Sequence, residues 1–218
     1  MRPDRELQHD VIEELQWEPG LESSRIGVAA DHGVVSLTGH VDSYPARVKA
    51  ERATRRVAGV EAVANEIEVD SFGDLAAPDD ANIAQHALSA LDWNVSVPKE
   101  RTKVTVSDGW MTLEGEVEWY YQKRAAEDAV RDLMGVRGIT NNIVVRPRVR
   151  AAEVKDKIEA ALRRSAEVDS KKITVESTGS RIVLRGTVRS WAEHEDAVNA
   201  AWSAPGVTGV EDHLSIRP

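Results

Sequence analysis

Apolar residues along the chain change period in a fixed series, and the series then recurs. Leu7, Val11 and Leu15 fall one helical turn apart, the spacing that places side chains on one face of an α-helix. Two alternating runs follow, Ile26 to Ala30 and Val35 to Val41, joined around Gly33. Alternation of this kind predicts a β-hairpin. A second helical stretch carries Ala50 and Ala53, and the alternation of Val63 to Val69 predicts a last strand. The order is helix, strand, strand, helix, strand.

Gly39, Gly115 and Gly186 each close an apolar alternation, and each is followed twenty residues later by a Gly-Val pair at Gly59, Gly135 and Gly206. Agreement at a fixed spacing is the mark of an internal repeat. The copies align without a gap as Asp4 to Val69, Asp80 to Val145 and Ala151 to Ile216. The first helix recurs through Ile83, Ala87 and Leu91, then through Val154, Ile158 and Leu162. Hairpins recur around Asp108-Gly109 and around Gly179, the latter one position early, which predicts a different turn.

The reading is an α+β chain of three tandem αββαβ domains, each a three-stranded mixed sheet with two helices packed on one face. The domains span residues 1–72, 78–147 and 149–218. Asp4 and Asp80 stand where an N-cap satisfies free amides of the first turn. Ala50 with Ala53, Ala126 with Ala129 and Ala197 with Ala200 are expected to face the sheet. Gly39, Gly115 and Gly186 share the core face of their strands, so their bare backbone is expected to admit that helix closely. Gly59, Gly135 and Gly206 are expected to end the second helix as left-handed caps.

The hairpin closing in Val-x-Leu-x-Gly-x-Val, with a later Gly-Val-x-x-Val-x-Asn-x-Ile-x-Val, resembles the BON domain (bacterial OsmY and nodulation). Val60 to Val69 carries the second motif in full, and the third copy departs with Asp212 in place of Asn65 or Asn141. The resemblance covers nearly the whole chain. It implies a role in osmotic or general stress, with binding of anionic phospholipid at bacterial envelopes or assistance to other proteins. One branch of the family implies potassium binding instead.

Composition narrows the classes. Hydrophobic residues make up 41% and charged residues 30%, and no run nears the roughly 18 apolar residues of a membrane-spanning helix. The charged start at Arg2, Asp4, Arg5 and Glu6 lacks the apolar core of an export signal, so the expectation is a cytoplasmic protein. Absence of cysteine removes disulfides, thiolate nucleophiles and cysteine-ligated metal.

No enzyme is expected. The six histidines, His9, His32, His40, His86, His194 and His213, show no shared ligand spacing, so no metal site is assigned. Carboxylates scatter without an apolar setting that would separate a general acid from a base. No cofactor is expected, potassium remaining the alternative, with Asn65, Asn141 and Asp212 or neighbouring loops as its oxygen donors. An acidic chain without a concentrated basic stripe lacks the footprint of a nucleic-acid binder.

The copies differ on their surfaces. Trp17 and Trp93 occupy one place at the end of the first helix, where the third copy has Arg164, and are read as helix-end packing. An aromatic recurs five residues after each hairpin glycine, at Tyr44, Tyr120 and Trp191, while Trp119 and Tyr121 are surplus. Followed by Lys123 and Arg124, these aromatics form either a membrane or partner patch or a packing surface between copies. Formal charge runs −7, −3 and +1 over residues 1–74, 75–147 and 148–218. Anionic lipid is therefore expected to meet Arg163, Arg164, Lys171, Lys172, Arg185 and Arg189. The expected function is non-catalytic, stress-associated binding of a phospholipid surface or client protein, with potassium sensing and a chaperone or scaffold role as alternatives.

Overall fold

The computed structural model describes residues 3–70, 78–99, 101–147, 154–165 and 172–217. The first copy runs α1 (Asp4–Trp17), β1 (Ile26–Asp31), β2 (Val34–Val41), α2 (Tyr44–Arg56) and β3 (Ala62–Val69). The second runs α3 (Asp80–Trp93), β4 (Thr102–Ser107), β5 (Trp110–Val117), α4 (Tyr120–Arg131) and β6 (Gly138–Val145). The third runs α5 (Val154–Arg164), β7 (Ile173–Thr178), β8 (Arg181–Val188), α6 (Trp191–Trp202) and β9 (Gly209–Ile216). One compact unit comprises Met1–Leu91, Val104–Thr112 and Asp128–Thr140, and the other Asp92–Lys103, Leu113–Glu127 and Asn141–Pro218.

Each copy builds a three-stranded sheet with the middle strand of the sequence at its centre. β1 pairs antiparallel with β2, Val28 opposite Leu37, and β3 pairs parallel with β2, Leu37 opposite Asn65. A parallel neighbour needs a crossover, and α2 supplies it. The third copy repeats this, with Val175 opposite Leu184 and Leu184 opposite Asp212. The sheets are mixed and both helices share a core with one face, as expected from the alternation.

Burial follows the periods. Leu7, Val11 and Leu15 of α1 meet Val35, Leu37, Val41 and Ile67 of the sheet and Ala50 and Ala53 of α2. In the third copy Val154, Ile158 and Leu162 join Val175, Ile182, Leu184, Val188, Ala197 and Ala201. The alanine expectation needs one change. Ala129 and Ala200 are only partly buried; the buried place one residue later is held by Thr54, Val130 and Ala201. A threonine is tolerated there because its hydroxyl donates to the Ala50 carbonyl at 2.9 Å.

The hairpin glycines have a different cause from the one expected. Gly39, Gly115 and Gly186 hold φ of +108°, +142° and +138°. A Cβ on them would lie 2.1, 2.0 and 2.0 Å from the carbonyl oxygens of Arg25, Arg101 and Lys172, just ahead of the neighbouring strand. The close approach is to strand backbone, not to the alanine-bearing helix.

The second glycines are not helix caps either. α2 ends at Arg56, and Val60 N–H donates to the Val57 carbonyl at 3.3 Å, leaving Gly59, with φ +96°, third in a separate turn. Val136 to Leu133 and Val207 to Ala204 repeat that bond around Gly135 and Gly206. A positive φ at the third turn residue is the type II requirement.

Asp4 and Asp80 also act elsewhere. Asp4 opens α1 itself, behind Pro3, and its carboxylate accepts the N–H of His32 at 2.9 Å. Asp80 accepts those of Asp108 and Gly109, each at 2.9 Å. Each aspartate thus holds its hairpin turn against the first helix, while Asp79 accepts the Asn82 N–H at 2.7 Å. The third hairpin turns differently, as its early glycine foretold. Positive φ falls on both turn residues in His32-Gly33 and Asp108-Gly109, but on Gly179 alone in the third copy, the sign pattern that separates type I′ from type II′.

Candidate functional site

α4 begins shortly after β5 ends, and three consecutive aromatics mark its start, Trp119 at the N-cap position and Tyr120 and Tyr121 in the first turn. The N-cap position holds Ser43 in the first copy and Ser190 in the third, whose hydroxyls accept the N–H of Ala46 at 3.3 Å and of Glu193 at 3.2 Å. In the second copy that position is Trp119, which has no oxygen to offer. The side chain of Gln122 accepts the N–H groups of Glu118 and Trp119, both at 3.0 Å, as the aligned Glu193 accepts that of Arg189 at 2.6 Å.

Tyr120 stacks on Trp202, the last residue of α6, with ring centroids 4.2 Å apart and planes 11° from parallel. Burial pushes its phenol pKa above the ordinary 10.0. Trp119 and Tyr121 stay exposed, at 38% and 57%. Together these rings line a cleft of about 660 Å³ with Arg124, Asn199 and Ser203. Arg124 Nη1 donates to Asn199 Oδ1 at 3.0 Å. The cleft brings together four of the expected surface residues, Trp119, Tyr120, Tyr121 and Arg124.

Other expected residues lie apart from it. Lys123 is half-buried, which lowers its pKa, and its carbonyl accepts from Asn141 at 2.9 Å. Arg163 and Arg164 are exposed at the end of α5 and Lys172 just before β7. Arg185 lies 3.7 Å from Glu176, and Arg189 3.2 Å from the buried carboxylate of Glu193. Arg185 alternates with Leu184, so it faces the helix-free side of the sheet, away from α5. Among the described residues, Arg185 thus lies on a different face from Arg163 and Arg164. Lys171 falls outside the described residues.

Trp202 and Asn199 were missed in the sequence, though a signal existed. Trp202 stands where the other copies carry Arg55 and Arg131, a departure as abrupt as Trp119 for serine.

Trp17 and Trp93 overturn their expected packing role. They are 82% and 87% exposed, because the helical face of Leu7, Val11 and Leu15 does not include position 17. Val95 beyond Trp93 is fully exposed as well.

The positions considered for oxygen ligation tie the last strand to the second helix. Asn65 donates to the Arg47 carbonyl at 3.4 Å and to Glu51 at 3.1 Å, and its oxygen accepts from Ile67 N–H at 3.2 Å. Asn141 repeats this with Lys123, Glu127 and Ile143. Among the described residues, Asp4, Asp31 and His32 offer ligand atoms within 4.8 Å of one another in an exposed setting. The hydrogen bond that the His32 ring donates to Asp31, the charge of Asp31 and then that of Asp4 raise the His32 pKa. Arg25 pairs with Asp42 and Asp70, and its hydrogen bond to Asp70 holds that carboxyl below the usual range. No helix among the described residues is long and apolar enough to cross a membrane.

Residues 3–71, 79–147 and 150–218 each match the BON domain. The chain belongs to the BON family. Its three BON copies thus account for the repeated αββαβ order and the shared glycines. Osmotically-inducible protein Y of Escherichia coli (strain K12) is 28% identical over 127 residues, 56% of this chain and 63% of that protein. The chain therefore spans less than two thirds of that BON relative. CdsD, a structural protein of the type III secretion system of Chlamydia trachomatis, is 15% identical with a TM-score of 0.27, covering 98% of this chain and 93% of that one. Its C-terminal domain gives the same identity and TM-score, covering 100% of both chains.

Proposed function

We propose that this BON protein is a non-catalytic, stress-associated binding protein that engages phospholipid surfaces peripherally, through the ends of its first helices. The observation that carries the reading is the exposure of Trp17 and Trp93 at equivalent places, 82% and 87%. Indoles suit a boundary that is apolar on one side and wet on the other. The third copy places Arg163 and Arg164 at the same helix end, both exposed, and arginine there is drawn to lipid phosphate. Resemblance to a protein named for osmotic induction supports the stress association.

Trp17 is flanked in sequence by Glu13, Glu14 and Glu18, only the last two of which pair with Arg56, and the excess of carboxylate opposes an anionic surface, so Trp93 with Val95 is the stronger anchor. Co-sedimentation with phosphatidylcholine vesicles, with and without phosphatidylglycerol, at two salt concentrations tests this. Wild type is expected to bind in a partly salt-resistant way, with W17A/W93A removing the resistant part and R163Q/R164Q the salt-sensitive part. Absence of binding under every condition, or binding indifferent to all four substitutions, sinks the reading.

A further inference from the structure

Trp119 and Trp202 each replace a residue that the other two copies share in kind, serine at the first position and arginine at the second. An N-cap serine contributes about 0.5–2 kcal/mol to its helix, and the second copy replaces it with an indole left partly in water. Neither helix capping nor core packing explains that choice. Both tryptophans line one cleft, in which Tyr120 is locked against Trp202 and Tyr121 stands exposed. A volume of about 660 Å³ is in the range of small-molecule sites.

Arg124 supplies the polar group. Its guanidinium is oriented by a neutral amide, Asn199 Oδ1 at 3.0 Å, and no carboxylate pairs with it among the described residues. It thus keeps its full charge and further N–H donors beside the rings. Aromatic walls with one uncompensated cation complement a ligand that is flat at one end and anionic at the other.

We propose that this cleft binds a small planar anion, an aromatic ring carrying a phosphate or carboxylate, the ring meeting Trp119 and Tyr121 and the anionic oxygens Arg124. The site is separate from the helix ends assigned to the lipid surface, so either proposal can fail alone. Adenosine 5′-monophosphate and 4-hydroxyphenylacetate serve as the phosphate and carboxylate probes, with adenosine and inorganic phosphate as the halves of the first and 4-methylphenol and acetate as those of the second, titrated by calorimetry and by tryptophan quenching on the full chain.

At least one whole probe is expected to bind at least about tenfold more tightly than either of its halves, and the tighter of the two names the anionic group. R124Q is expected to weaken binding at least about tenfold, the loss of one charge-assisted hydrogen bond, and W119L to remove most of the quench. Both positions are exposed, so an unchanged melting temperature separates lost binding from lost folding. Failure of both probes to bind, equal binding of whole probes and halves, or undiminished binding to R124Q overturns the proposal.

Discussion

His194 Nε2 lies 2.6 Å from Asp212 Oδ2 and joins α6 to β9. The same junction in the second copy is made by Asn141 on Glu127 and on the Lys123 carbonyl. His194 aligns with Lys123, and Val198 with Glu127. The third copy therefore changed three residues together: the amide became a carboxylate, the facing glutamate became apolar, and a ring nitrogen came to meet it.

Asn141→Asp alone is accordingly expected to destabilise by roughly 1–3 kcal/mol, since two donated hydrogen bonds are lost and oxygen faces oxygen. Adding Lys123→His and Glu127→Val should restore most of the loss. Thermal unfolding followed by circular dichroism checks both; a neutral single substitution would show that the tie carries no weight.

The third hairpin contains its own control for the glycine argument. Gly186→Ala would bring a Cβ to 2.0 Å from the Lys172 carbonyl oxygen at φ +138°, and is expected to cost more than about 3 kcal/mol through backbone clash and strain. Gly179→Ala meets nothing within 4 Å at φ +63°, and should cost only about 1–2 kcal/mol, the ordinary left-handed penalty. Comparable melting temperatures for the two variants would refute the assignment.

Asp80 accepts two backbone N–H groups of the second hairpin turn. Asp80→Ala leaves them with water alone, and a loss of about 1.5–3 kcal/mol is expected. Hydrogen exchange should rise at Asp108 and Gly109 before it rises in the strands; uniform exchange changes would count against a local clamp.

Burial holds the Tyr120 phenol above its ordinary pKa of 10.0. The folded protein then binds more protons than the unfolded chain at alkaline pH, so stability falls as pH rises from about 10 toward the folded value. Tyr120→Phe should abolish that contribution while retaining the stack on Trp202. An unaltered alkaline melting profile in the variant would contradict it.

His32 is raised above 6.5 by Asp31 and then Asp4. Its contribution is complete below 6.5 and lost as pH rises through the folded value. A proton NMR titration should place His32 above 6.5, and Asp31→Asn should move it down toward that value.

The linear pattern was enough for the element order, the three copies and most of the core, because a period of 3.6 or 2 is a local property that side chains such as Leu7, Val11, Val35 and Leu37 express wherever the chain goes. Trp17 and Trp93 were misread because helix membership says nothing about a residue just off the buried stripe. Gly39 and Asp80 were seen to matter, but their partners, the Arg25 carbonyl and the amides of Asp108 and Gly109, come from strand pairing and chain return that no local spacing encodes. The cleft illustrates the limit most fully. Trp119, Tyr121 and Arg124 stand out in the sequence, but Trp202 and Asn199 lie some eighty residues away, and only tertiary packing sets an indole on Tyr120 and an amide on Arg124. Repeating side chains determined the shared core; departures from the repeat acquired a use only when folding placed them face to face.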